Sequence, residues 1–169
     1  MKNRMTTRRI ALSGLIAGLY AAITILTASF AYGNIQFRIA DALCVLVVLE
    51  PSVTVGLTLG CLLSNIFSTV SALDIVIGTA ATLLGCLLAR NIKNMWLVPV
   101  PMALSNALLV GAMLTWYYMP PELLGKGLVI FGAEVLAGEL VVLYAIGVPL
   151  TLFIKRSGLQ EKLMNRRQE

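Results

Sequence analysis

The sequence predicts an all-α membrane protein, a bundle of six transmembrane helices with both termini on the cytoplasmic side, and three observations carry that prediction. The chain of 169 residues is 59% hydrophobic and 12% charged, with a mean hydropathy of +0.89, where a soluble domain carries about 25% charged residues. Residues 10–37, 51–73 and 94–121 contain no Asp, Glu, Lys, Arg or His. Each run exceeds the ~20 residues that cross ~30 Å of hydrocarbon as a helix. Nine of the thirteen basic residues stand in the two tails, at Lys2, Arg4, Arg8 and Arg9 and at Lys155, Arg156, Lys162, Arg166 and Arg167. The positive-inside bias places both tails in the cytoplasm, so the number of crossings is even. The whole chain reads as one integral-membrane domain of the cell membrane: a basic tail over 1–9, the bundle over 10–154 and a second basic tail over 155–169.

The first helix is predicted over residues 10–30, too long and too well followed by further spans for a cleaved signal peptide. The second, over 34–49, makes only ~24 Å at 1.5 Å per residue, and the third covers 52–70. Between them Glu50-Pro51 forms an inner turn, with Pro51 at a first-turn position that needs no N–H. Fusing the second and third helices would leave five crossings and put the tails on opposite sides. Arg90 and Lys93 arbitrate for six, because the loop that holds them, between a fourth helix (74–89) and a fifth (95–118), is then cytoplasmic. The sixth runs over 128–154. Aromatic residues agree, with Trp96 at the inner interface and Tyr32, Trp116, Tyr117 and Tyr118 at the outer one. The outer connections then fall at 31–33, 71–73 and 119–127.

What is missing excludes several chemistries. Cys44, Cys61 and Cys86 lie in apolar stretches without CxxC spacing, which supports neither a disulfide framework nor a zinc site. Without a histidine there is no Ser-His-Asp, Cys-His or HExxH arrangement. Gly125-Lys126 is not a phosphate loop, since Pro120 stands at the place of its first glycine and Gly127 at that of its Ser/Thr. The chain has no visible means of hydrolysing ATP. Its net charge of +5 resides mainly in the tails and orients the protein rather than binding nucleic acid.

Ionisable side chains inside apolar segments cost several kcal/mol unless they face protein or water, and so are functional candidates. Glu134 and Glu139 lie on the sixth helix, ~140° apart around its axis, and cannot both point squarely into one pocket. Glu134 is the shallower and better placed for an outward-facing site; for each the alternative is a buried carboxyl satisfied by neighbouring helices. Arg38 and Asp41, three apart on the second helix, form either a local ion pair or part of a ligand site. Asp74 opens the fourth helix, where a carboxylate caps N–H groups and can also line a vestibule. Asn65 and Asn106 are amides in apolar surroundings, where interhelical hydrogen bonds are the common reason; Asn65, nearer the outer side, is the preferred ligand contact. Gln36 joins this outer group, and Trp116 either stacks on a flat ligand or anchors the interface. On the first helix Gly14/Gly18 and Ala17/Ala21 make overlapping small-xxx-small pairs, a face that another helix can approach closely.

The combination resembles a family. Ile35-Gln36-Phe37-Arg38-Ile39-Ala40-Asp41-Ala42-Leu43, then Gly56-Leu57-Thr58-Leu59-Gly60-Cys61 with Asn65, then Asp74-Ile75-Val76-Ile77-Gly78-Thr79 with Ala81-Thr82, are similar to the QueT type of substrate-binding (S) component of energy-coupling-factor transporters, which carry queuosine precursors. The resemblance implies a binding subunit rather than an enzyme, with no cofactor of its own. ATP would be used by two partner ATPases, and a membrane coupling protein would dock on the small-residue face at Gly14, Ala17, Gly18 and Ala21. It also implies a deazaguanine substrate, whose guanine-like edge and aminomethyl group suit the acceptors Glu134, Asp41 and Asp74, the amides Gln36 and Asn65, and Arg38 as a ligand contact or as a partner orienting Asp41. Two rival readings are an S component for another vitamin-like molecule and a self-sufficient secondary transporter driven by protons at Glu134 or Glu139.

Overall fold

The computed structural model describes residues 7–28, 37–68 and 72–158. Helices form wherever the sequence is apolar and lacks breakers: α1 (Thr7–Leu26), a 3-10 helix (Ile39–Val48), α2 (Val53–Asn65), α3 (Leu73–Ala89), α4 (Pro99–Tyr118) and α5 (Leu124–Val142). A π turn (Leu143–Gly147) continues α5 into α6 (Val148–Arg156). All six predicted segments thus fall on helical elements. By length and composition α1, α4 and the continuous stretch Pro121–Arg156 are long enough to cross a membrane, whereas the 3-10 helix, α2 and α3 are shorter apolar helices.

Three expectations change in detail. The second segment is a 3-10 helix rather than an α-helix, and residues 34–36 at its predicted start lie outside the described residues. At ~2.0 Å per residue its ten residues reach ~20 Å, further than the ~15 Å of an α-helix of that size. The fifth helix starts at Pro99 instead of Met95, as a proline at the first helical position favours. The sixth starts earlier, at Leu124, and contains the π turn just before Pro149. A proline ring removes an N–H and clashes with the carbonyl four residues back, and widening the preceding turn relieves both.

Neighbouring helices pack in sequence order, α1 on α2, α2 on α3, α3 on α4 and α4 on α5. The 3-10 helix closes this row, touching α1, α2, α3, α5, the π turn and α6. Arg9 of α1 pairs with Glu50 at 3.6 Å, and Ser13 Oγ donates to the Ser52 carbonyl at 3.1 Å, so the starts of α1 and α2 share one end of the bundle. That end also holds Arg90, Lys93 and Trp96, whose ring stacks on Tyr144 at 6.5 Å. Trp116, Tyr117 and Tyr118 mark the opposite end, ~30 Å away along twenty residues of chain.

Two glycines show how closely the elements approach. A β-carbon at Gly60 would stand 2.8 Å from the Ala17 carbonyl oxygen, and one at Gly147 would stand 2.8 Å from that of Ala42. The first seats α2 on α1 and the second seats the π turn on the 3-10 helix. The small-residue face of α1 is therefore divided: Ala17 is buried under α2 and Ala21 half-buried, whereas Gly14 and Gly18 are exposed with open space beyond them.

Large apolar side chains such as Leu15, Val76, Leu108 and Val129 cover the outside. The interior, by contrast, holds Arg38, Asp41, Asn65, Asp74, Asn106 and Glu139, none more than 5% exposed. Charged groups enclosed within a largely apolar interior and shielded by an apolar surface suit a solvent of lipid, where polar groups must find partners inside the protein.

Candidate functional site

The buried polar residues form one connected cluster between the 3-10 helix and helices α1 to α5. Arg38 precedes the 3-10 helix with an extended backbone, φ −82° and ψ 90°. Its side chain is consequently not held on the helix face beside Asp41. It reaches instead to α3, where Nη2 donates to Asp74 Oδ1 and Oδ2, both at 2.9 Å. The side chains of this ion pair are 2% and 0% exposed. Ser68 Oγ donates to Asp74 Oδ2 at 2.8 Å, and Asn65 Nδ2 donates to the Asp74 carbonyl at 2.9 Å. Gly78 makes room for this convergence: a β-carbon there would lie 2.7 Å from Asp74 Oδ1 and 2.8 Å from Asn65 Nδ2.

Cys61 links this layer to the next. Its sulfur accepts from Arg38 Nη1 at 3.7 Å, Asn65 Nδ2 at 3.4 Å and Thr82 Oγ1 at 3.3 Å. Below it, residues three apart eclipse along the 3-10 helix, which sets Asp41 and Cys44 on one face. Asp41 Oδ1 accepts from the Tyr20 hydroxyl of α1 and from Cys44 Sγ. Across from Asp41, Glu139 Oε1 accepts from Asn106 Nδ2 at 2.8 Å, joining α5 to α4.

Asp41, Cys44, Thr82, Asn106 and Glu139 enclose a cavity with Ala81, Gly85, Met102 and Leu143, about 10 Å³ in volume, the room that a single water centre needs. The cluster contains one cation, Arg38, against three carboxyl groups, Asp41, Asp74 and Glu139. Asn65 Oδ1 and Asn106 Oδ1 are buried without a hydrogen-bond partner, and the Glu139 and Asp41 carboxyl groups are hydrogen-bonded to each other. Most buried acceptors are paired in folded proteins, because leaving one unsatisfied costs about 1–3 kcal/mol. An excess of buried acceptors is thus suited to receiving hydrogen-bond donors from a solute.

Among the residues expected to bind substrate, Arg38, Asp41, Asn65, Asp74 and Glu139 come together here. Glu134 is half-buried on α5 and makes none of these contacts, and Trp116 is 73% exposed, away from the cluster. Gln36 lies outside the described residues. Asn106 forms the interhelical hydrogen bond expected of it and in doing so joins the site. Tyr20, Cys61 and Thr82 were not anticipated. Tyr20 had the clearest signal, a phenol within an otherwise apolar helix, since a buried tyrosine hydroxyl usually finds a partner.

Comparison with known families decides what this cluster belongs to. A family model described as QueT transporter matches residues 10–156. The chain belongs to the QueT transporter family. No curated protein and no solved structure matches it. The matched segment contains every residue of the cluster, from Tyr20 to Glu139. Membership makes the chain a multi-pass membrane protein of a transporter family, and gives an apolar bundle with a polar heart the task of carrying a solute.

Proposed function

We propose that this QueT-family chain is the substrate-capturing S component of an energy-coupling-factor importer and carries a queuosine precursor of the deazaguanine type. The observation that carries this reading is the buried, acceptor-rich cluster of Arg38, Asp41, Asn65, Asp74, Asn106 and Glu139 inside a bundle whose outside is apolar. A deazaguanine presents N–H donors along its edge, which carboxylates and amide oxygens accept. In this arrangement Arg38, Asp74 and Asn65 form the wall toward the Trp116 end, and Asp41, Asn106 and Glu139 the deeper floor.

The Trp116 end faces outward in this reading. The opposite end, with Arg9, Arg90, Lys93, Lys155 and Arg156, faces the cytoplasm. Energy comes from partners: a membrane coupling protein seated over Gly14 and Gly18, whose backbone is open to close approach, and two ATPases bound to that protein. Capture then needs no ATP, and release inward does.

Reconstitution tests the division of labour. Proteoliposomes holding this chain with the coupling protein and both ATPases take up a radiolabelled deazaguanine on addition of ATP, while liposomes with this chain alone take up none. Uptake by the chain alone under an imposed proton gradient would instead establish a self-sufficient transporter working through Glu139 or Glu134.

A further inference from the structure

The interior holds a second pair of facing reactive groups that the polar cluster does not use. All three cysteines of the chain are free and buried. Cys61 is committed within the cluster, donating to the Gly78 carbonyl at 3.7 Å and accepting from Arg38, Asn65 and Thr82. The other two meet: Cys44 on the 3-10 helix and Cys86 on α3, two elements in contact, have thiols hydrogen-bonded to each other. Spacing alone does not pair them, since they lie on different helices and far apart in the chain. A disulfide needs sulfurs about 2 Å apart on α-carbons within about 7 Å, and thiols already in hydrogen-bond contact across two packed elements are close to that arrangement. Cys44 also borders the cavity of about 10 Å³ and donates to Asp41 Oδ1 at 3.8 Å, whereas Cys86 is fully buried.

We propose that Cys44 and Cys86 form a peroxide-sensitive thiol pair, whose disulfide ties the 3-10 helix to α3 and closes the cluster to its solute. The Cys44 sulfur attacks one oxygen of hydrogen peroxide, the O–O bond breaks, and the thiol proton leaves with the other oxygen as water. The Cys86 sulfur then attacks the sulfur of the resulting sulfenic acid, and its proton leaves with the hydroxyl as a second water. Two thiols are oxidised and one peroxide is reduced. Peroxide is the suitable class of oxidant because it is uncharged and near water in size; a bulky disulfide such as oxidised glutathione does not enter a space with room for a single water centre. The effect on capture follows from the same lack of room. A deazaguanine ring system is far larger than this cavity, so a solute enters only when the surrounding elements part. The 3-10 helix carries Asp41 and follows Arg38, while α3 carries Asp74 and Thr82. A covalent bond between the two elements holds both sides of the cluster in the closed arrangement. This effect rests on the reading above that the cluster receives the solute; the cross-link itself does not.

Peptide mapping and titration calorimetry on the purified full chain test the two parts separately. After treatment with hydrogen peroxide, the peptides that contain Cys44 and Cys86 should be recovered joined, and dithiothreitol should part them. In Cys86→Ser no joined peptide can form, and dimedone should instead trap Cys44 as its sulfenic acid. In the unmodified chain, affinity for 7-aminomethyl-7-deazaguanine should fall at least about 10-fold on oxidation, as the fraction able to open is withdrawn. Dithiothreitol should restore it, which separates the cross-link from oxidation of methionine. Cys44 and Cys86 recovered as free thiols after peroxide, or joined peptides with unchanged affinity, would overturn the proposal. A reduced chain that binds none of the base would overturn the deazaguanine reading instead, and the thiol pair would then stand or fall on the joined peptides.

Discussion

Arg38 is the one buried cation among the described residues, and it pairs with Asp74 at 2.9 Å with both side chains closed off from solvent. Breaking a buried pair by removing one partner leaves an uncompensated charge and costs about 3–5 kcal/mol, whereas replacing both by apolar groups is often close to neutral. Arg38→Met alone should therefore lower the unfolding stability in detergent by about that much, and the double variant Arg38→Met with Asp74→Leu should recover most of it. Thermal unfolding of the three proteins checks this; a double variant as unstable as the single would show that the pair is not the unit described. The sequence already marked both residues as ionisable side chains in apolar surroundings. It did not reveal the pairing, because Arg38 and Asp41 look like neighbours on an α-helix, and only the extended backbone at Arg38 releases its side chain toward a residue 36 positions away.

At the scale of elements, close seating by glycine separates what holds the bundle together from what is left open. Gly147 lies against the Ala42 backbone and Val45, so Gly147→Val forces two elements apart and should destabilise the protein by about 1–3 kcal/mol. A β-carbon at Gly18 would meet no neighbouring element within 4 Å, so Gly18→Leu should leave the unfolding temperature unchanged or slightly raised while weakening co-purification with the coupling protein proposed above. Comparable loss of stability in both variants would contradict this division of the α1 face. The number and order of helical segments was legible from charge-free runs and breakers. The 3-10 geometry was not, since nothing in Ile39–Val48 distinguishes it from a short apolar α-helix; its pitch follows from packing against α1, α2, α3, α5, the π turn and α6 at once. Pro149 did hint at the π turn, as a proline within an apolar run forces some local adjustment.

For the whole molecule, an apolar exterior and the enclosure of the few charged groups inside are two sides of one constraint. Lipid accepts no hydrogen bonds, so the few charged residues within the bundle gather where they satisfy one another, and the acceptors left over are where we propose a solute is received. The candidate site was legible in part because charge is so scarce: five of the eight residues expected to bind substrate converge. Glu139 rather than Glu134 proves to be the member from the last long helix, a matter of rotation and depth that spacing alone leaves open. The central claim is that this cluster captures a deazaguanine by itself, with energy supplied elsewhere. The most direct measurement is titration calorimetry of the purified chain with 7-aminomethyl-7-deazaguanine in the absence of ATP and of any partner. The account predicts saturable one-to-one binding with a Kd on the order of micromolar or tighter, about −8 kcal/mol or better, and no heat with a vitamin of unrelated structure. No heat with the deazaguanine, alongside saturable binding of such a vitamin, would contradict it.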